Sequence, residues 1–245
     1  KEENRFKLDP KDVKKAVTLK TKAIILNTPS NPTGAVFDRE SLEQIAAICK
    51  EHEIMVISDE PYEHILFDGN EHVSIGSLDG MKDLTVSIYT LSKSYAMTGW
   101  RVGYVVADKA IIDEMEKLME HMVSGVTAVA QRAALAAITE SQDCVKQMVE
   151  RYAKRRELMY NGLNSIKGIS CVKPESTFYA FPNISSFGMS SWDFAKYMVK
   201  EHKLALLPGS IFGENGEGFA RLSFATSSRN IETALKKLQK GIAGI

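Results

Sequence analysis

Five separated stretches of the chain carry side chains able to act on a bound small molecule. Lys93, in Ser92-Lys93-Ser94 and three residues after Thr90, offers a primary amine among hydroxyls. Asp59 offers a carboxylate, with the phenol of Tyr62 three residues later. Asn31 lies in the run Asn27-Thr28-Pro29-Ser30-Asn31-Pro32-Thr33-Gly34, Arg101 follows Gly99-Trp100, and Arg221 stands in Arg221-Leu222-Ser223-Phe224-Ala225-Thr226. An amine condenses with a carbonyl carbon and, once released, serves as a general base. A carboxylate holds a cationic nitrogen, a phenol or amide orients an oxygen, and a guanidinium engages two oxygens of a phosphate or carboxylate at once. Taken singly, each has an ordinary explanation. Asn-Pro marks a loop, Asp caps a helix, Tyr fills a core edge, Lys faces water and Arg pairs with an acid.

The elements around them decide whether they meet. Four short apolar runs, Ala23–Leu26, Ile54–Ile57, Thr85–Tyr89 and Val102–Val106, are rich in β-branched and aromatic residues and bounded by polar or turn residues, so they read as buried strands. Between the first two, Asp38 caps a helix whose Leu42, Ile45 and Cys49 share one face. Strand, helix, strand at this spacing is a βαβ unit, hence an α/β fold with a largely parallel sheet. Ligands of such sheets bind beyond the carboxyl ends of the strands. Asn27–Gly34, Asp59–Tyr62 and Thr90–Lys93 all follow strand ends.

Helices come next. Ile112, Met115, Met119 and Met122 mark one face from about residue 110, Val126–Thr139 is apolar nearly all round and is expected to be buried, and Gln142–Ile166 forms a long charged helix. Its basic cluster, Arg151, Lys154, Arg155 and Arg156, reads as a solvated face. From Gly168 onward strands are expected at Ile169–Val172, Phe178–Phe181, Leu204–Leu207 and Phe219–Ala225, with helices at Trp192–Glu201 and Asn230–Ile242. The expected organisation is two domains, 1–145 and 146–245, the second a smaller α+β domain that includes the long helix. On the last strand Phe219, Arg221, Ser223 and Ala225 share a face, an odd place for a charge unless an anion meets it.

Composition excludes other classes. Lys and Arg together number 31, matching 31 Asp and Glu, and they are scattered, so no basic face calls for nucleic acid or an anionic membrane. No apolar run approaches a membrane span, no signal peptide opens the sequence, and a cytoplasmic setting is expected. Cys49, Cys144 and Cys171 are odd in number, scattered and without CxxC spacing, so they read as reduced, mostly buried thiols and not as a zinc site or disulfide framework; no histidine has metal-ligand spacing, and no metal is expected.

Together, the candidate residues supply what pyridoxal 5'-phosphate requires: Lys93 for its aldehyde, Asp59 for its ring nitrogen, Tyr62 and Asn31 for its phenolic oxygen, and Arg101, Ser92 and Thr90 for its phosphate. Asn31-Pro32-Thr33-Gly34, Asp59-x-x-Tyr62, Ser92-Lys93 with Arg101 eight residues later, and Arg221–Thr226 resemble, in order and spacing, the class I/II aminotransferases of pyridoxal-phosphate fold type I. The run Ala96–Tyr104 is most similar to that of prokaryotic aspartate and aromatic amino-acid aminotransferases. The match spans residue 20 to the end.

The resemblance implies a three-layer, mostly parallel sheet forming part of a large cofactor-binding domain, followed by a smaller C-terminal α+β domain. It implies Lys93, Asp59 and Tyr62 as catalytic residues, with Lys93 holding the cofactor as a Schiff base. Arg221, with Asn31, would bind the substrate carboxylate, and Phe178 and Tyr179 would border the substrate side chain. It further implies amino-acid and 2-oxo-acid substrates and a homodimer. The family's N-terminal portion, which carries a Gly-rich phosphate loop and a ring-stacking aromatic, has no counterpart here, so a fragment is expected. A carbon–sulfur lyase on the same fold and a non-catalytic aminotransferase-like fragment are the alternatives.

Overall fold

A computed structural model describes residues 2–245, which divide into two compact units. The sheet unit comprises Lys7–Pro29 and Val36–Gln147; the C-terminal unit comprises Met148–Ile245, the segment Ser30–Ala35 and the N-terminal residues through Phe6.

The sheet unit begins with a short helix, α1 (Pro10–Ala16), whose N-cap Asp9 accepts from the Lys11 N–H at 2.8 Å. There follow β1 (Ala23–Asn27), α2 (Arg39–Glu51), β2 (Met55–Asp59), β3 (Thr85–Thr90), α3 (Leu91–Ser94), β4 (Gly103–Val106), α4 (Lys109–Val123), α5 (Ala128–Thr139) and the start of α6 (Asp143–Asn164). The strands lie in the order β1-β2-β3-β4. The first three are parallel and β4 runs antiparallel to β3. Asn27 pairs with Asp59 and Asp59 with Ile88, so the three parallel strands end along one edge.

The apolar stripe of α2 explains the core on one face of the sheet. Leu42, Ile45 and Cys49, one turn apart, are buried with Leu26, Ile54, Val56, Ile75 and Met81. Asp38 starts α2 as expected, accepting from the Ser41 N–H at 2.8 Å. Replacing Asp38 with Ala is expected to destabilise the chain by about 1 kcal/mol, the usual worth of an N-cap. A shift in the urea midpoint without change in slope would register it, and an unmoved midpoint would show the cap to be dispensable.

The expectation of a buried α5 is corrected. Only Ala130 is buried, while Val129, Leu135 and Ile138 are exposed, as are Leu118, Met122 and Val123 on α4. A helix apolar all round needs packing on every side. Here α5 packs through Ala130, Ala133, Ala134 and Ala137 against Leu91, Met97 and Val102, which covers one face.

The C-terminal unit holds most of α6, then β5 (Tyr179–Ala180), α7 (Ser191–His202), β6 (Leu207–Pro208), β7 (Ala220–Ser223) and α8 (Ser228–Ile242). Its strands form an antiparallel sheet in the order β5-β7-β6. α7 buries Phe194, Ala195 and Met198, and α8 buries Ile231 and Leu238.

Three expectations are corrected in this unit. The strand expected at Leu204–Leu207 forms only at Leu207–Pro208, β6. Ile169–Val172 makes only a single bridge, Ser170 with Asn183. The Asn164 side chain takes both backbone groups of Cys171, accepting from its N–H at 3.0 Å and donating to its C=O at 3.2 Å, so a side chain occupies the groups a strand partner would use. The basic cluster on α6 is not wholly solvated either: Arg151 and Lys154 face water, but Arg156 is only 2% exposed. Among the described residues no helix is long and apolar enough to cross a membrane.

Candidate active site

Lys93 owes its position to the way β3 ends. Thr90 caps α3 with its side chain, whose oxygen accepts from the Ser92 N–H at 3.2 Å, and buried Leu91 pins the turn into the core. Lys93, half-buried on that turn, sets its ammonium 6.0 Å from the centroid of the Tyr62 ring, the outer limit of a cation–π contact. Tyr62 is itself buried, three residues beyond the end of β2. The Glu60 N–H donates to the Ile88 carbonyl at 3.0 Å, carrying the β2–β3 ladder one residue past Asp59 and fixing the turn that presents Tyr62.

Asp59 is tied to the neighbouring strand. The Asn27 side-chain amide donates to its Oδ2 at 2.9 Å and to its carbonyl at 3.2 Å. Burial raises the Asp59 pKa and the Glu60 charge adds to this, opposed by the Asn27 hydrogen bond and by the positive charge of Lys93. In the sequence Asn27 stands out only as part of a strand end, with no role of its own. The signal was available: two polar residues closing adjacent parallel strands stand side by side when the strands are in register.

Behind Asp59, Glu60 is fully buried, with His72 Nε2 at 2.6 Å and the Ser74 hydroxyl donating at 2.7 Å. Burial pushes its pKa up, but these hydrogen bonds and the His72 charge outweigh it and hold Glu60 below the usual range. No sequence signal separated His72 from a packing residue.

The remaining candidates are distributed as follows. Ser92 is half-buried in α3, and the Thr90 hydroxyl oxygen is engaged in capping. Arg101 is exposed, in the left-handed region at φ 53°, and its Nη1 donates to the Thr98 carbonyl at 3.1 Å. All of these belong to the sheet unit.

Asn31 and Arg221 belong to the C-terminal unit, where they meet: Arg221 Nη1 donates to Asn31 Oδ1 at 2.8 Å. The Asn31 turn is closed by the Ser30 N–H donating to the Ala35 carbonyl at 2.9 Å and the Gly34 N–H to the Ser30 carbonyl at 2.8 Å. Gly34 is required twice over. Its φ is +71°, and a Cβ there would lie 2.7 Å from Cβ of Pro174. On β7 Ala220 and Leu222 are buried, as is Phe224 just beyond it, leaving Arg221 and Ser223 on the opposite face as the alternation demands. The Arg221 guanidinium lies 4.2 Å from the Tyr179 ring centroid and 5.0 Å from that of Phe212, so two aromatic faces hold its plane. Phe178 packs instead against Tyr152, with ring centroids 5.6 Å apart.

A half-buried amine, a desolvated carboxylate and a buried phenol on adjoining strand ends can handle a carbonyl compound carrying a cationic ring. A guanidinium braced by an amide and two rings can bind a carboxylate. The family model for aminotransferase class I and II matches residues 1–238. The chain is 43% identical over 241 residues to the aspartate aminotransferase of Pyrococcus abyssi, and 41% identical over 241 residues to aromatic-amino-acid aminotransferase 2 of Thermococcus litoralis. In both cases the match covers 98% of this chain and 62% of the relative, so the chain spans about three-fifths of the length of these relatives. Among solved structures, the aromatic aminotransferase of Pyrococcus horikoshii superposes with a TM-score of 0.97 at 41% identity, over 100% of this chain and 66% of that one. The chain belongs to the class I and II aminotransferases and has their fold type I α/β structure.

Proposed function

We propose that this chain carries the catalytic residues of a pyridoxal-phosphate-dependent aminotransferase that moves an amino group between an amino acid, aspartate or an aromatic one, and a 2-oxo acid. The observation that carries this reading is the Lys93 amine held beside Tyr62, with Asp59 on the adjoining strand end. The donor set fits the family's cofactor. A carboxyl whose pKa is raised by burial gains most from a cationic N–H partner, which a pyridinium nitrogen supplies. When bound, the cofactor provides an aldehyde carbon to carry the amino group and a cationic ring to accept electron density from the substrate α-carbon.

In this reading Lys93 would hold the cofactor through its amine, and that amine, when free, would take and return the substrate α-proton. Asp59 keeps the ring nitrogen protonated, with Asn27 fixing its carboxylate. Tyr62 and Asn31 would be the partners of the phenolic oxygen, and Asn31 would also serve the substrate carboxylate. Ser92 and Thr90 are the hydroxyl partners of the phosphate. Arg101, whose guanidinium donates to the Thr98 carbonyl, would be the charge-assisted partner of the phosphate. Arg221 clamps the substrate α-carboxylate, and Phe178 and Tyr179 border the substrate side chain. The proposal extends to organisation: residues 1–145 as part of a cofactor-binding domain, 146–245 as a small domain, a homodimer of the whole protein, and a cytoplasmic setting.

The test uses the purified chain given pyridoxal phosphate, an amino acid (aspartate, tyrosine or cysteine in turn) and 2-oxoglutarate. Glutamate is the expected product, with aspartate or tyrosine as donor. Ammonia and pyruvate from cysteine without glutamate would make it a carbon–sulfur lyase. Neither product, with no near-visible absorbance on adding the cofactor, would leave a non-catalytic domain.

A further inference from the structure

Arg156 is a fully buried guanidinium that the proposed chemistry does not use. On α6 its Nη1 donates to the Pro174 carbonyl at 2.9 Å and its Nη2 to Glu157 Oε1 at 2.9 Å, an oxygen that also takes Lys173 Nζ at 2.6 Å. Simple stability is a weak reason for such a residue, since apolar side chains of similar volume often serve a buried position as well or better. What arginine adds is a rigid fork of donors that fixes its acceptors in direction as well as distance.

The carbonyl it holds begins a buried strap, Pro174-Glu175-Ser176-Thr177-Phe178-Tyr179. One end of the strap grips the Asn31 turn: the Glu175 and Ser176 N–H groups both donate to the Gly34 carbonyl, at 2.9 Å each. The other end presents the Tyr179 ring to the Arg221 guanidinium at 4.2 Å. Between them Thr177 is fully buried at φ +67°, a conformation a β-branched residue adopts only when its surroundings over-determine it. Its hydroxyl oxygen accepts from the Tyr179 N–H at 3.1 Å. Arg5 adds an ion pair to Glu175 at 3.2 Å. The strap therefore grips the turn that carries Asn31, through Gly34, and presents a ring to Arg221, and Arg156 fixes its start.

We propose that Arg156 is a positioning residue for carboxylate recognition, acting through the Pro174–Tyr179 strap on the Asn31–Arg221 pair. The inference rests on Arg221 being the carboxylate clamp, and its test separates the two. The probe is succinate, titrated calorimetrically into the chain loaded with pyridoxal phosphate, with the side-chain amide resonance of Asn31 followed by NMR in ¹⁵N-labelled protein.

Arg221→Ala should weaken succinate at least tenfold, the scale of a lost charge-assisted hydrogen bond. Arg156→Met should weaken it about fivefold and move the Asn31 signal, while Arg156→Lys, which keeps one donor for the Pro174 carbonyl, falls between. A merely structural arginine would lower the melting temperature and leave affinity and the Asn31 signal alone at a temperature well below it. Should Arg156→Met not fold, Glu157→Gln decides, with an expected loss of about twofold through a loosened fork. Wild-type affinity in whichever of these two variants folds, with Arg221→Ala impaired, overturns the role of Arg156 alone. Equal affinity in wild type and Arg221→Ala overturns the clamp and this inference with it.

Discussion

Lys93→Ala is expected to abolish the near-visible absorbance that appears when the chain takes up pyridoxal phosphate, and to lower amino transfer by at least about 10³-fold. The size follows from two roles lost together. The covalent hold on the cofactor disappears, and so does the proton-transferring amine, which alone contributes about 10² to 10⁴ in such sites. The fold should be unaffected. Lys93 is half-buried on α3, whose turn is secured by the Thr90 cap and by Leu91, not by the lysine side chain. Far-ultraviolet circular dichroism should therefore be retained while the absorbance band vanishes. Lys93→Arg sharpens the test because it keeps the positive charge beside Asp59 but cannot condense with an aldehyde. It is expected to resemble Ala in absorbance. A band that survives in both variants would assign the condensing amine to another lysine and remove the central observation from the proposed function.

How far the sequence disclosed this arrangement depends on which interactions are local. Lys93 and Asp59 were legible because each follows a short β-branched run, and parallel strands put their carboxyl ends on one edge whatever else the fold does. Gly34 and the turn around Asn31 were legible as turn chemistry, but the reason for glycine there, the approach of Pro174, lies 140 positions away and leaves no local trace. Arg156 was hidden by company. It shares a run with Arg151, Lys154 and Arg155, and periodicity alone does not tell which one turns inward to meet a distant carbonyl. The strand expected at Ile169–Val172 failed because Asn164, itself unremarkable at the end of a helix, captures both backbone groups of Cys171. The exposed faces of α4 and α5 failed in the opposite sense. Apolar patterning shows which side chains could pack, and for α5 it suggested burial all round, but it does not say how many faces find a partner; here one face of α5 does.

Glu63 offers a second large effect, this time on stability and with a definite sign. It follows Tyr62, its side chain is 12% exposed, and its Oε2 is buried without a hydrogen-bond partner. Burial pushes its pKa up from 4.5 to about 7, with the Glu60 charge adding to the rise and its own backbone N–H opposing it. The folded chain thus binds this proton more tightly than the unfolded chain does. Its contribution to stability is whole below pH 4.5 and is lost as the pH climbs through about 7. At about 1.4 kcal/mol per pH unit, that window corresponds to about 3 kcal/mol. Glu63→Gln removes the titration while keeping the shape. The variant should match the parent near pH 4 and exceed it by about 3 kcal/mol at pH 8, the gap opening between those limits. Other carboxyls, Glu60 and Glu157 among them, are shifted the opposite way, so the parent's own profile mixes signs and only the difference between the two chains isolates Glu63. Urea unfolding of both chains at half-unit pH steps measures it. Parallel curves across the whole range would mean that Glu63 ionises in the folded chain as it does in water, with its carboxylate reaching solvent or a cation.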